Sequence, residues 1–153
     1  AASDVYKRQV SELNPLKNRV TKPKNVMFSV TRSGSNYTVS SGSVFIFDVA
    51  QTNIGNHFNT SNGRFTAPVA GNYYFDFFSI YYGVYSNAWT SIRVNGNRAS
   101  DQHFSPTTNA WANVSGHYMA YLSANEYVEV YNGGVSVQYH GATWSRFSGF
   151  LVG

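Results

Sequence analysis

The sequence contains no cysteine, and this absence removes several kinds of chemistry at once. Disulfide cross-links, thiol nucleophiles and thiolate metal sites are all excluded. The absence does not identify the compartment, because a secreted domain with a large core needs no disulfides. The sequence also lacks any run of about 20 apolar residues, so we expect no membrane-spanning helix and no membrane insertion.

Charged residues are scarce, at 12% of the chain, and they are unevenly distributed. The first 24 residues hold six lysines and arginines against two acidic residues, whereas the remainder holds five arginines against five acidic residues. The formal charge of +4 therefore resides in the N-terminal segment. Because the neutral remainder has no basic stripe of the kind that phosphate backbones require, we expect no nucleic-acid partner.

Recognisable enzyme motifs are absent as well. The chain has no Gly-x-Ser-x-Gly elbow, no phosphate-binding loop and no His-Glu-x-x-His pair. The four histidines (His57, His103, His117 and His140) are isolated in sequence, and none has a second ligand at metal spacing. We therefore predict a protein that is not an enzyme and carries no cofactor.

The first 24 residues differ in composition from the rest of the chain. They are polar and basic, and Pro15 and Pro23 interrupt them. This composition indicates a flexible arm or an expression remnant. The spacing of Leu13, Leu16 and Val20 leaves open a second interpretation, the stub of an oligomerising stalk. The folded domain is predicted to span residues 25–153.

Aromatic residues are abundant, at 17% of the chain, and Gly-, Ser- and Asn-containing turns separate short apolar runs. This pattern is typical of an all-β protein without convincing helices. The predicted strands are Val26–Thr31, Ser43–Val49, Asn53–Asn59, Arg64–Val69, Gly71–Tyr82, Trp89–Val94, Arg98–Phe104, Val114–Leu122, Tyr127–Tyr131 and Trp144–Val152. About ten strands favour a sandwich of two antiparallel sheets with Greek-key or jelly-roll connections.

The longest predicted strand, Gly71–Tyr82, is apolar on both faces. One face carries Tyr73, Phe75 and Phe77, and the other carries Tyr74 and Phe78. A sheet packed on one side only should alternate apolar with polar residues, so both faces of this strand are expected to be covered. We therefore predict a homo-oligomer, with a long loop folded over the second face as the alternative.

Eight residues between positions 47 and 77 resemble the signature of the complement component 1q globular-head domain. They are Phe47, Asn53, Phe58, Phe65, Gly71, Tyr73, Phe75 and Phe77. The segment Phe147–Leu151, the pair Ser115-Gly116 and the opening Met27–Val30 also resemble strands of that family. The resemblance covers about residues 25–153. It implies a ten-stranded jelly roll related to tumour necrosis factor and a tight trimer around a three-fold axis.

Members of this family are recognition proteins, and many stalkless invertebrate members are regarded as secreted, lectin-like immune proteins. The resemblance therefore implies a secreted pattern-recognition protein of innate immunity that binds carbohydrate or microbial surface ligands as a homotrimer. A structural or adhesive extracellular-matrix protein is the alternative, and a signalling ligand for a surface receptor also remains open. Three glycosylation acceptor patterns, at Asn36, Asn59 and Asn113, are consistent with secretion.

The resemblance and strand parity together name candidates for the trimer contact. The family's trimer-packing residues correspond to Tyr74, Phe147 and Val152, and parity adds Phe78 and Tyr118. Some members bind calcium through two acidic residues. Asp101 corresponds to the first of them, but Ala112 stands at the second, so no metal site is predicted beyond Asp101 as a single calcium candidate.

Aromatic residues in polar loops are the candidates for ligand binding. Such rings can stack on the apolar face of a sugar while neighbouring Asn and Ser side chains bind its hydroxyl groups. The candidates are Tyr81, Tyr82, Tyr85, Trp89, Trp111, Tyr139 and His140. For each of these rings, packing against its own sandwich or a neighbouring protomer is the alternative.

Overall fold

The computed structural model describes residues 3–11 and 25–153. Residues 3–11 are helical, whereas the sequence predicted no helix. The remainder of the predicted N-terminal arm, including the stalk candidates Leu13, Leu16 and Val20, lies outside the described residues. Among the residues that the structure describes, no helical segment has the length and hydrophobicity needed to span a bilayer.

Residues 25–153 contain eleven strands, two of which are only two residues long. They are β1 (Met27–Val39), β2 (Ser43–Val44), β3 (Val49–Ile54), β4 (Phe58–Asn59), β5 (Arg64–Thr66), β6 (Gly71–Tyr82), β7 (Ala88–Val94), β8 (Asn97–Phe104), β9 (Trp111–Leu122), β10 (Tyr127–Gly133) and β11 (Val137–Leu151). The five-stranded sheet has the order β3-β1-β11-β6-β9. The six-stranded sheet has the order β4-β5-β10-β7-β8, with β2 beside β10. The predicted sandwich of two antiparallel sheets is confirmed.

Strand β6 shows how the residue pattern produces the sandwich. Tyr73, Phe75 and Phe77 are fully buried, while Tyr74 and Phe78 on the opposite face are only half-buried. The alternation places the first three rings between the sheets and the other two on the outer face of the five-stranded sheet. Because β6 lies between β11 and β9, both faces of this sheet are organised around it.

The core between the sheets consists mainly of stacked and edge-on aromatic rings. The ring of Phe28 lies 4.9 Å from that of Phe58 and 5.0 Å from those of Phe65 and Phe147, measured between centroids. Such contacts add about 0.5–1.5 kcal/mol each to the free energy of burial. Gly149 leaves room for these rings, because a Cβ atom there would lie 2.6 Å from Phe75.

Several predicted strands differ from the observed ones: β1 extends to Val39, the predicted strand Asn53–Asn59 contains the turn between β3 and β4, and two further differences have a clear cause. Within the apolar run Ser43–Val49, only Ser43–Val44 pairs as β2 and Val49 begins β3, although Phe45 and Phe47 between them are fully buried. The apolar run therefore predicted correctly that these side chains are buried, but it predicted wrongly that they pair as one continuous strand. The last strand begins at Val137 rather than at Trp144, because β11 continues through a bulge that interrupts its apolar pattern.

Candidate functional site

Three of the predicted ligand-binding residues converge on the outer face of the five-stranded sheet. Tyr82 and Trp111 are cross-strand partners on β6 and β9, with ring centroids 4.9 Å apart. The ring of His140, on β11, lies 5.2 Å from that of Trp111. These side chains come from three neighbouring strands at the end of the sheet opposite to Met27 and Phe150.

A bulge in β11 adds a fourth ring that the sequence analysis did not select. Tyr139 pairs with Tyr81 and Ser145 pairs with Ser79, so the five residues 140–144 face the single residue Ile80. The bulge brings the ring of Trp144 to 6.0 Å from that of His140. Its base is held by Ser145, whose hydroxyl donates to the His140 carbonyl oxygen at 2.6 Å.

Ile80, Trp111, His140 and Trp144 line a cavity of about 300 Å³, which we call the aromatic cleft. Trp111 and Trp144 are 47% and 49% exposed, although large apolar side chains are usually covered. The amide of Asn113 lies beside the cleft, as the cross-strand partner of Ile80. The site thus combines exposed ring faces with a neighbouring amide, an arrangement suited to binding a ligand that has both apolar and hydroxyl surfaces.

Two predicted ligand-binding residues are core residues instead. Tyr139 is fully buried and Tyr81 is 5% exposed, and burial raises the pKa of both phenols. The Tyr139 hydroxyl donates to Asn132 Oδ1 at 2.8 Å inside the sandwich. Neither ring can contact a ligand at the surface, because both lie on the inner face of the five-stranded sheet.

The other two ring candidates lie outside the cleft. Tyr85 stabilises its own loop: its hydroxyl donates to the Tyr82 carbonyl oxygen at 2.6 Å and accepts from the Gln138 backbone N–H at 2.9 Å. Trp89 lies on the outer face of the six-stranded sheet, with the guanidinium of Arg98 4.0 Å from its ring centroid. The sequence could not distinguish these positions, because it does not show which face of which sheet a loop-end ring occupies.

A second exposed apolar surface crosses the same five-stranded sheet at its other end. It consists of five residues in cross-strand register, one on each strand, which we call the apolar row: Ile54, Met27, Phe150, Tyr74 and Met119. Met27, Phe150 and Met119 are 44%, 44% and 63% exposed, respectively. Between the apolar row and the aromatic cleft, Asp76 and Arg146 form an ion pair of 3.8 Å.

The predicted trimer residues divide between the two faces of this sheet. Tyr74 and Phe78 share the outer face, and Val152 is 55% exposed at the end of the chain. Phe147 is fully buried against Phe28 in the core, so the prediction that its side chain lies at the trimer contact was wrong. Tyr118 pairs with the inward-facing Phe75, so the parity that grouped it with Phe78 was also wrong.

The calcium candidate Asp101 has a different partner in the structure. Its carboxylate forms an ion pair with Arg98, and the Arg98 guanidinium lowers the pKa of that carboxyl group. Within residues 3–11 and 25–153, no three His, Asp or Glu side chains come together as a metal site would require. A carboxylate already paired with a cation does not fit the ligand set of Ca²⁺, which needs several oxygens free of other charges.

Comparison with solved structures supports the fold. The globular domain of zebrafish complement 1qA protein superposes with a TM-score of 0.68 at 19% identity, covering 85% of this chain and 98% of that one. Eiger TNF from S. frugiperda gives a TM-score of 0.70 at 10% identity, covering 84% and 93% of the two chains. Murine APRIL gives 0.67 at 9% identity, covering 84% and 100%. Identities this low show a common fold alone.

Sequence relatives point to the same group. The chain is 27% identical over 130 residues to complement C1q tumor necrosis factor-related protein 3 of Mus musculus and 26% identical to that of Homo sapiens. Each match covers 85% of this chain and 53% of the relative, so the chain spans about half the length of the curated relatives it matches. The family model of the C1q domain matches residues 27–152, and the chain therefore belongs to the C1q domain family.

Proposed function

We propose that this protein is a secreted, non-enzymatic recognition domain that binds carbohydrate through the aromatic cleft and assembles as a homotrimer through the apolar row. The observation that carries the proposal is the convergence of Trp111 on β9 with His140 and Trp144 on β11 around an open cavity that Ile80 of the intervening strand β6 also lines. Membership of the C1q domain family, which comprises extracellular recognition and signalling proteins, supports the general role.

Carbohydrate is the ligand class that best matches the cleft. Its two tryptophans present ring faces to solvent, and the apolar face of a sugar stacks on such rings. Of the four residues that line the cavity, none is Asp, Glu, Lys or Arg, which favours a neutral saccharide over a charged one. A shallow site of this kind binds weakly by itself, and three linked copies gain about 10²–10⁴ in avidity.

The apolar row supports assembly through the same sheet. Monomeric proteins rarely leave a contiguous apolar strip exposed, and such strips commonly mark contacts between proteins. Tyr74 in the row and Tyr82 at the cleft are eight residues apart on β6, about 26 Å at the usual rise of a strand. This distance lets subunits meet at the row while the cleft stays open at the other end.

A glycan array probed with the full chain tests the binding proposal. We expect neutral glycans to bind the wild type, and Trp144→Ala to reduce their affinity at least about tenfold, equivalent to 1.4 kcal/mol. Tyr6→Ala is the matched control, because it removes an exposed ring of the helix at residues 3–11 and should leave binding unchanged.

Light scattering of the same variants separates the two parts of the proposal. Trp144→Ala should keep the mass of the wild type. If Trp144→Ala dissociates the protein, the cleft is a subunit contact and the carbohydrate proposal fails. If Trp144→Ala binds glycans as the wild type does, the aromatic cleft is not the binding site. If the wild type binds no glycan above a heat-denatured sample, a structural or adhesive role is favoured.

A further inference from the structure

Residues 25–153 contain five arginines and five acidic residues. Four arginines form ion pairs with four of the acids, and the fifth arginine has no acidic partner in this part of the chain. The four pairs are Arg32–Asp48 at 3.5 Å, Arg64–Glu129 at 2.8 Å, Arg98–Asp101, and Arg146–Asp76 at 3.8 Å. The fifth acid, Glu126, accepts from the Asn95 amide at 2.8 Å and from the Ser123 backbone N–H at 2.7 Å. Arg93 has no carboxylate oxygen within 4 Å among the described residues.

The side chain of Arg93 packs against an aromatic ring instead of forming hydrogen bonds with the described residues. Its Cζ atom lies 3.1 Å from the ring centroid of Tyr131, and its Nε–H is buried without an acceptor in the described part of the chain. Glu129 is its cross-strand neighbour, but that carboxylate is already bound by Arg64. Residues 25–153 therefore position a guanidinium, the group best suited to bidentate recognition of oxyanions, and provide no acceptor for it.

Contacts between a guanidinium and an aromatic ring, like that of Arg93, recur across the six-stranded sheet. Arg64, Glu129, Arg93 and Arg98 are consecutive cross-strand neighbours on β5, β10, β7 and β8, and we call these four residues the arginine row. The guanidinium of Arg64 lies 4.2 Å from the ring centroid of Tyr127, and that of Arg98 lies over Trp89. Both flanking guanidiniums are partly exposed, and each is neutralised by its own carboxylate.

We propose that Arg93 anchors a binding site for the carboxylate or sulfate group of an acidic polysaccharide. The face is a sheet surface rather than a cleft, which suits an extended chain better than a small free anion. Because Glu129 and Asp101 neutralise Arg64 and Arg98, Arg93 is the one free cation of the row in the described part of the chain, whereas a nucleic acid requires several cations along its phosphates. The guanidiniums cover the ring faces, so a protein partner would find little apolar surface here.

This site is independent of the aromatic cleft. The two lie on the outer faces of opposite sheets, so assembly through the five-stranded sheet leaves the arginine row exposed on every subunit. Within residues 25–153 each subunit offers one unpaired guanidinium, and a polysaccharide with one charge per sugar unit or disaccharide can reach several such groups in an assembly. Binding should therefore depend on assembly and on salt.

Binding of the full chain to immobilised polysaccharides at physiological salt tests the proposal. Hyaluronate offers carboxylates alone, dextran sulfate offers sulfates alone, and unmodified dextran is the neutral control. We expect the wild type to bind at least one charged polymer more tightly than dextran, which reports any binding of neutral sugar by the aromatic cleft. Arg93→Gln should weaken that binding at least tenfold, and Arg93→Lys should weaken it less, because lysine keeps the charge and loses the planar fork.

Arg146→Gln is the charge-matched control, because it removes one arginine from the opposite sheet; with its wild-type mass verified by light scattering, we expect it to change affinity less than twofold. A direct readout is the Nε–H resonance of Arg93 in NMR spectra, which should shift when glucuronate or sulfate is added. Equal losses in Arg93→Gln and Arg146→Gln, or no binding of either charged polymer, would overturn the proposal. Binding of polyglutamate alone would also overturn it and identify an acidic protein partner. If Arg93→Gln fails to fold, the affinity of Arg93→Lys and the shift of the Arg93 Nε–H resonance in the wild type test the proposal instead.

Discussion

A single asparagine closes the turn between β3 and β4. Asn53 Nδ2 donates to the Phe58 carbonyl oxygen at 2.8 Å, and Asn53 Oδ1 accepts from the Phe58 backbone N–H at 3.0 Å. The side chain thus replaces a pair of backbone hydrogen bonds across a turn in which Gly55 and Asn56 have positive φ angles. Few side chains of this length offer both a donor and an acceptor, which explains the asparagine in the signature.

Asn53→Asp should destabilise the protein by about 1–3 kcal/mol, because the carboxylate cannot donate and faces the Phe58 carbonyl oxygen. The shift in the urea unfolding midpoint at neutral pH measures this loss. Asn59→Asp is the matched control: Asn59 Oδ1 only accepts, from the Ser61 backbone N–H at 2.9 Å, and a carboxylate keeps that bond. Equal losses in the two variants would contradict the donor argument.

Individual side chains show what the sequence could and could not reveal. The resemblance placed Asn53 in the signature, but its hydrogen bonds depend on the position of Phe58 in space. The residues that flank Tyr81 and Tyr139 in the sequence are typical of loops, yet both side chains face inward at the ends of long strands. Arg93 became notable only when the structure showed which four arginines have partners. Counting charges in the sequence showed that residues 25–153 are neutral, but it could not show which arginine lacks an acidic partner.

Three strands are joined inside the sandwich by a small group of hydroxyls. Tyr37 on β1 and Ser79 on β6 both bond to the hydroxyl of Ser145 on β11, at 3.0 Å and 2.5 Å. Ser145 donates onward to the His140 carbonyl oxygen, so the group fixes the bulge that carries Trp144. Burial, the largest effect, raises the pKa of Tyr37 to about 12 from its ordinary value of 10.0.

This pKa predicts a loss of stability at alkaline pH. Because the folded-state pKa lies above the unfolded value, the contribution of Tyr37 is complete below pH 10 and falls away as the pH rises toward about 12. Chemical unfolding from pH 8 to 12 should show this decline, and Tyr37→Phe should make it shallower. Burial raises the pKa of Tyr73, Tyr81 and Tyr139 as well, so the variant should not abolish it. An unchanged slope in Tyr37→Phe would refute the assignment.

The same elements explain why some strands were predictable. Strand β6 has the predicted bounds because its alternation is unbroken between Gly71 and Tyr82. Strand β11 was missed over its first half because residues 140–144 add length without a matching partner on β6. The sequence pattern consequently placed Trp144 at the start of a strand rather than in the aromatic cleft. A bulge changes which face a residue occupies, and nothing in a period-two pattern marks it.

At the scale of the whole molecule, the apolar row should determine the oligomeric state. Phe150→Asp places a charge on a side chain that is 44% exposed in one subunit, so the subunit itself should still fold. A buried unpaired charge at a subunit contact costs about 3–5 kcal/mol, enough to dissociate a trimer at micromolar concentration. Light scattering should give three times 17.0 kDa for the wild type and 17.0 kDa for the variant.

Val84→Asp serves as the control for this experiment, because Val84 is 58% exposed in the loop after β6, away from the apolar row. It should retain the wild-type mass. A wild-type monomer, or a Phe150→Asp protein of unchanged mass, would contradict assembly through this surface.

The pairing of Met27 with Phe150 brings the first and last strands of the domain together at the end of the sheet farthest from the aromatic cleft. A tether attached ahead of Asn25 therefore points the cleft away from whatever the tether is fixed to. Immobilisation through that end should leave the cleft fully accessible, whereas capture through the loop after β6 should hinder it. The same polarity would present the cleft outward on any particle or cell to which the N-terminal segment was anchored.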